Sequence, residues 1–159
     1  MATYISVDPG AKTLTLAVVN VDEQMQMFVE KVIEKDLTEG GEKKRGEMTE
    51  ALTDLFTDRV ERDVVHDMHG RRNVSMICEC QGKTAVDNVV IQEVLRSQCH
   101  RIGIPFTLVT PPILSVKRKL KEGRGSSTRT DEKKKVLAFY NGHVKPKIVN
   151  SDEVKESGK

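Results

Sequence analysis

The sequence has no apolar run long enough to span a lipid bilayer. Its first residues also lack the basic and then apolar pattern of a secretory signal. Internal repeats and low-complexity tracts are absent as well. We therefore expect an intracellular protein with no membrane partner, and a length of 159 residues suits a single domain with one hydrophobic core.

Cysteine is scarce, and the three that are present fit a reducing compartment. Cys78 and Cys80 flank Glu79 on a predicted strand, so their side chains share one face. We interpret these two as small core residues in preference to a metal-binding pair. His100 follows Cys99, but no second closely spaced pair of cysteines or histidines completes a zinc site.

The charges are nearly balanced over the whole chain, with 26 basic and 24 acidic residues, but they are unevenly distributed. Residues 115–135 hold nine basic and three acidic side chains, a net charge of +6, so the remainder carries −4. A local basic segment on a near-neutral protein favours a surface that binds a polyanion. A solvated charged face is the alternative.

The pattern of apolar residues predicts the order of the elements. The first three strands form an antiparallel meander, and the two longer helices carry apolar side chains at helical spacing. The order βββαβαβ plus a last helix predicts an α/β fold, a mixed sheet with helices on its faces. In chain order the elements are strands at 3–8, 13–20 and about 25–34, a helix at about 46–65, a strand at 73–81, a helix near 86–102, a strand at 105–109 and a helix at 131–140.

The C-terminal end of the chain contains few apolar side chains. Asn141 and Gly142 are predicted to end the last helix. We expect residues 143–159 to be poorly ordered. The predicted division is a domain over residues 1–150 and an acidic and polar tail over 151–159, which resembles a truncated final helix.

Two acidic residues on predicted strands are candidates for a metal site. Asp8 ends the first strand before Pro9 and Gly10, where it either begins a hairpin turn or faces a charged partner. Glu79 lies in the fourth strand, and Gln81 faces the same side, either orienting a metal-bound water or making an ordinary hydrogen bond. If the two strands are neighbours, the carboxylates converge and repel each other unless cations lie between them. Oxygen ligands favour Mg²⁺ or Mn²⁺ over zinc.

Four segments, in this order, resemble the RuvC-type Holliday junction resolvases of the RNase H-like superfamily. They are SVDPGAKTLTLAVV (6–19), ICECQGKTAVDNVVIQEVL (77–95), STRTDEKKKVLAFY (127–140) and SDEVKES (151–157). The resemblance is greatest to the poxvirus and mitochondrial cruciform-cutting branch. It implies that Asp8 and Glu79 are the first two metal-binding acids.

The resemblance also implies the remaining site residues. The family's last acids form an Asp-Asp-x-x-Asp-Ser motif at the start of a final helix, and Asp152, Glu153 and Glu156 match it in charge and spacing. Two of these three are glutamates and no apolar helix follows, so they either complete a divergent site or precede the true motif. Lys134 matches a lysine that neutralises charge on the scissile phosphate. The side chains that would hold DNA phosphates are Lys117, Lys119, Lys121, Arg124, Arg129 and Lys133.

The function implied by the resemblance is Mg²⁺-dependent hydrolysis of a phosphodiester bond in four-way DNA junctions. Two ions roughly 4 Å apart, with Mn²⁺ able to replace Mg²⁺, would activate a water and stabilise the leaving oxygen. Two symmetric cuts imply a homodimer. DNA recombination and repair would follow, at a viral replication site, in the nucleus or in a mitochondrion.

Two other functions remain open. A non-catalytic nucleic-acid-binding protein would keep the fold and the basic segment but lack a complete set of acids. An actin- or Hsp70-like nucleotide-binding fragment would also place Asp-x-Gly in its first hairpin. Such ATPases use two related lobes, however, and 159 residues cannot supply both.

Overall fold

A computed structural model describes residues 1–10, 12–38, 45–66, 73–82, 85–110, 134–135 and 137–150. The strands are β1 (Ala2–Asp8), β2 (Thr13–Val21), β3 (Met27–Asp36), β4 (Val74–Glu79) and β5 (Phe106–Val109). The long helices are α1 (Arg45–Leu55), which continues as a π-helical segment (Phe56–Val65), and α2 (Val86–Ile102). In this part of the chain no helix combines the length and the apolar character that crossing a membrane requires.

The five strands form one mixed sheet in the order β3-β2-β1-β4-β5. Strands β1, β2 and β3 are antiparallel neighbours, which confirms the predicted meander. Strand β4 pairs in parallel with β1 on one side and with β5 on the other. The predicted α/β class and mixed sheet are therefore confirmed, and β1 and β4 are direct neighbours.

The hydrophobic core lies on one face of this sheet. Alternate residues of β1, namely Thr3, Ile5 and Val7, are buried there, whereas Ser6 and Asp8 between and beyond them are exposed. Helices α1 and α2 both pack against the buried face, so the described part of the chain places its two long helices on the same side. The helical residues buried in this core include Met48, Leu52, Phe56, Val60, Val64, Ile91, Leu95 and Cys99.

The first long helix confirms the predicted range but changes its winding at Phe56. Its buried residues Met48, Leu52, Phe56, Val60 and Val64 recur every four positions. Residues four apart lie on one side of a helix, so these side chains form a single apolar stripe through both halves. That stripe faces the core.

The last described segment differs from its prediction. A π-helical turn, Tyr140–Val144, runs through Asn141 and Gly142, which were wrongly predicted to end the helix. A 3₁₀ turn, Lys145–Lys147, follows, and Ile148 then forms a parallel bridge with the first residue of β3. The segment after the helix docks on the sheet, where we expected poor order, because the edge of β3 offers it backbone partners.

Candidate metal site

The parallel pairing of β1 and β4 brings Asp8 and Glu79 together. The last residue pair between the two strands is Val7 with Cys78. Asp8 and Glu79 occupy the next position on each strand. Side chains at matching positions of neighbouring strands leave the same face, with backbones about 4.8 Å apart. Because Val7 and Cys78 are buried in the core, the two carboxylates lie on the face opposite the long helices.

Among the described residues of the turn after β1, the hydrogen bond is made by main-chain groups and not by the Asp8 carboxylate. The Gly10 backbone N–H donates to the Asp8 carbonyl at 3.1 Å, and Pro9 is buried. Asp8 itself is exposed. The sequence allowed Asp8 either to begin a hairpin turn or to face a charged partner. Asp8 does precede the turn, and its carboxylate lies on the solvent side of the sheet, where a cation can approach it.

Glu79 is half-buried, and its main chain is held by a neighbouring side chain. The Gln81 carboxamide Nε2 donates to the Glu79 carbonyl at 2.8 Å. Of the two roles considered for Gln81, this is the ordinary hydrogen bond. Its acceptor is the main chain of the candidate metal ligand Glu79. This contact ties the backbone at Glu79 to the connection that leads into α2.

The cysteines beside Glu79 have different environments. Cys78 is buried, and burial raises the pKa of its thiol to about 12, with the Glu79 carboxylate adding to the effect. Burial likewise raises the pKa of Cys99 to about 12. Both side chains belong to the hydrophobic core, as predicted for Cys78. Cys80 is exposed, and its assignment to the core was wrong, because β4 ends at Glu79 and the core ends with it.

Two carboxylates alone are a partial ligand set. Among the described residues, no three His, Cys, Asp or Glu side chains are grouped so that they could hold a metal ion. An oxygen-only pair fits Mg²⁺ or Mn²⁺, because Mg²⁺ keeps several waters and is commonly held by one or two carboxylates together with substrate phosphates. The pair does not fit a structural zinc ion, which takes four ligands that are mostly sulfur or nitrogen.

Of the other predicted site residues, the structure describes only Lys134. Lys134 is exposed in the helical turn before Tyr140, and the described contacts do not connect it to Asp8 or Glu79. The predicted DNA-binding side chains and the predicted closing acids lie outside the described residues. These are Lys117, Lys119, Lys121, Arg124, Arg129, Lys133, Asp152, Glu153 and Glu156.

A further carboxylate shares the row of Asp8 across the sheet and was missed in the sequence. Asp8 pairs with Thr15, and Thr15 pairs with Glu34 of β3. Directly paired residues face the same side, so Glu34 lies on the face of Asp8, two strands away or about 10 Å. That separation is too long for the two carboxylates to share one ion. Only the strand register could have revealed this row, because Glu34 stands in an ordinary alternating pattern.

The chain has structural relatives without close sequence relatives. No protein-family model matches it, and no curated protein matches its sequence. Thermus thermophilus RuvC in complex with a Holliday junction substrate is 15% identical over 89% of this chain and 96% of that chain, with a TM-score of 0.55. Fowlpox virus resolvase, solved with substrate Holliday junction DNA, is 14% identical over 97% of this chain and 83% of that chain, with a TM-score of 0.51.

A third solved structure extends the same likeness. The yeast mitochondrial Holliday junction resolvase is 15% identical over 98% of this chain and 67% of that chain, with a TM-score of 0.59. At such identities the likeness shows the fold. The chain therefore has the RNase H-like α/β fold of the RuvC-type resolvases, as its sequence motifs predicted.

Proposed function

We propose that this protein is a structure-specific DNA endonuclease that cuts four-way junctions with the help of divalent cations. The observation that carries the proposal is the pair of Asp8 and Glu79 at adjacent ends of parallel strands. It is supported by the fold, which this chain shares with three Holliday junction resolvases. A fold hosts many functions, so the two carboxylates carry more weight than the likeness.

The proposed chemistry assigns a separate role to each residue. Asp8 and Glu79 would hold two Mg²⁺ ions, or Mn²⁺ in their place. When bound, such ions supply an activated water and neutralise charge on the leaving oxygen. Exposure leaves Asp8 accessible to a DNA phosphate, whereas half-burial and the Gln81 contact hold Glu79 in place. Lys134 would neutralise charge on the scissile phosphate.

The proposed partner is branched DNA. The basic segment, residues 115–135 with a net charge of +6, would contact backbone phosphates, since such contacts release counterions and dominate affinity. A junction is resolved by two symmetric cuts, so we propose a homodimer with one site in each subunit. The resemblance also implies Asp152, Glu153 and Glu156 as closing acids, and a chain that ends at Asn150 tests whether they bind the metal.

A second function is favoured by one observation. Within the described residues only two acids converge, and they form no group of three. A protein with that incomplete set would bind junctions without cutting them. An assay of junction cleavage therefore distinguishes the endonuclease from the non-catalytic binder.

The test is cleavage of an end-labelled four-way junction in Mg²⁺ and in Mn²⁺, beside a linear duplex of the same sequence. We expect the wild type to nick the junction symmetrically and to leave the duplex intact. Asp8→Asn and Glu79→Gln should each slow cleavage by roughly a thousandfold, since metal ions supply several kcal/mol of transition-state stabilisation, about 1.4 kcal/mol for each factor of ten. Both variants should still bind the junction, because each removes negative charge that faces phosphate.

Glu34→Gln is the matched control. It neutralises a carboxylate on the same face and in the same row, about 10 Å from Asp8, so cleavage should remain near wild type. If the wild type binds junctions but cuts in neither metal, the protein is the non-catalytic binder. If Asp8→Asn cuts as fast as the wild type, the metal site lies elsewhere. An ATPase assay on the same preparation tests the nucleotide-binding alternative.

A further inference from the structure

A buried polar side chain on α2 needs an explanation. In the part of the chain that the structure describes, Thr3 and Gln92 are the buried polar residues, and Gln92 is 6% exposed. Its neighbours Ile91 and Leu95 belong to the apolar core. A buried carboxamide is costly unless both its oxygen and its nitrogen are hydrogen-bonded. The partners of Gln92 therefore indicate what its position serves.

Gln92 contacts the chain that follows β4. Its Oε1 accepts a hydrogen bond from the Gln81 backbone N–H at 3.1 Å, and its Nε2 donates to Glu93 Oε1 at 3.0 Å. The Gln81 side chain continues the network, since its Nε2 donates to the Glu79 carbonyl and its Oε1 accepts from Asn88 Nδ2 at 3.2 Å. Asn88 and Gln92 are one turn apart on α2, so they face Gln81 from the same stripe.

The backbone groups fix the direction of each hydrogen bond in this network. A backbone N–H can only donate, so the Gln81 N–H requires the oxygen of Gln92. A backbone carbonyl can only accept, so the Glu79 carbonyl requires the nitrogen of Gln81 and leaves its oxygen for Asn88. Each amide orientation is set by a main-chain group at the end of β4. The network therefore specifies one arrangement of that strand end.

The sheet holds the other side of the same strand end. The Cys80 backbone N–H donates to the Val109 carbonyl at 2.9 Å, which is the last contact between this segment and β5. Glu79 thus lies where the sheet ladder stops and the contacts from α2 begin. The sheet and the contacts from α2 through Gln81 therefore meet at this residue.

We propose that Gln92 and Asn88 are positioning residues that act through Gln81 to hold Glu79 in the orientation in which it binds a divalent cation. This inference rests on the proposed function, in which Glu79 is a metal ligand. Groups behind metal ligands orient them, and their loss commonly weakens metal binding by about 10- to 100-fold. Here the effect passes through the main chain, so we expect the lower end of that range.

The test compares Gln92→Met with Gln92→Glu. Methionine keeps the length of the side chain and removes the acceptor, whereas glutamate keeps an acceptor oxygen at the same reach. In the metal-free protein, Gln92→Met should speed hydrogen exchange of the Gln81 amide at least tenfold and shift the side-chain NMR signals of Glu79. Titration with Mn²⁺ should show affinity reduced about tenfold. Gln92→Glu should restore slow exchange at Gln81.

Gln98→Met is the matched control, the same substitution on the same helix at a residue that contacts Arg101. It should change neither readout. If Gln92→Met does not fold, Asn88→Ala removes the donor to Gln81 from a half-buried site and should shift the Glu79 signals alone. Unchanged Glu79 signals in a folded variant would overturn the proposal. If the wild type fails to bind Mn²⁺, the proposed function fails, while the metal-free NMR data still decide whether Gln92 positions Glu79.

Discussion

At the scale of single residues, the turn between β1 and β2 depends on the absence of a side chain at Gly10. A Cβ atom built there would lie 2.3 Å from the Thr13 carbonyl oxygen. That atom is backbone, so relieving the contact requires the turn itself to move. Because Asp8 immediately precedes this turn, its orientation depends on the same close approach.

Gly10→Ala should therefore destabilise the protein by about 1–3 kcal/mol, the usual effect of forcing an extra methyl into a packed site. Urea unfolding of the wild type and the variant measures this difference. Gly142→Ala is the control, since a Cβ there meets nothing within 4 Å and alanine favours a helical turn. Equal stabilities for Gly10→Ala and the wild type would show that the turn adjusts without cost.

At the scale of elements, the edge of β3 is extended by the segment after the last helical turn. The Val29 backbone N–H donates to Asn150 Oδ1 at 2.9 Å, and Asn150 Nδ2 donates to the Val29 carbonyl at 2.7 Å. The carboxamide thus occupies the place of a backbone unit in a neighbouring strand. Val149 adds a main-chain bond to the Met27 carbonyl. An edge that would otherwise offer unpaired groups is covered there.

Asn150→Ala removes both of these side-chain hydrogen bonds and should lower the free energy of unfolding by about 1–2 kcal/mol. The Val29 amide should also exchange with solvent faster. Asn141→Ala, in an exposed position of the preceding helical turn, should leave both quantities unchanged. A variant with wild-type stability and a protected Val29 amide would show that the backbone contacts alone hold the segment.

At the scale of the whole molecule, the docking of Asn150 places the end of the described segment far from Asp8. Asn150 bonds to Val29 of β3, and Val29 pairs with Val19 of β2, which in turn pairs with Tyr4 of β1. Asn150 is therefore about four residues along the strand direction and three strand spacings across the sheet from Asp8. That separation is roughly 20 Å.

We expect a chain that ends at Asn150 to bind Mn²⁺ within about twofold of the intact chain, because the docked Asn150 lies roughly 20 Å from Asp8. Titration with Mn²⁺ measures the affinity, and junction cleavage in Mn²⁺ should also be unchanged. A chain that ends at Ser157 is the control, since it retains Asp152, Glu153 and Glu156. A tenfold loss in the shorter chain alone would show that the tail acids are ligands and that Asn150 undocks.

The order of the elements and the two candidate ligands could be predicted from the sequence alone. Strands 3–8 and 13–20 and the helix near 86–102 were predicted within one or two residues, because alternation and helical spacing are local properties of the chain. Asp8 and Glu79 were identified as acids on two predicted strands, which would converge if those strands were neighbours, and as matches to the first two acids of the resolvase pattern.

Which of these residues meet depends on contacts between distant parts of the chain. The pairing of β1 with β4, which sets Asp8 beside Glu79, joins segments about 70 residues apart, and the hydrogen bonds between Val29 and Asn150 span 121 positions. The exposure of Cys80 and the burial of Gln92 likewise depend on where a strand ends against a helix. Periodicity records which face of an element is apolar, but a contact between distant elements follows from the packing of all of them together.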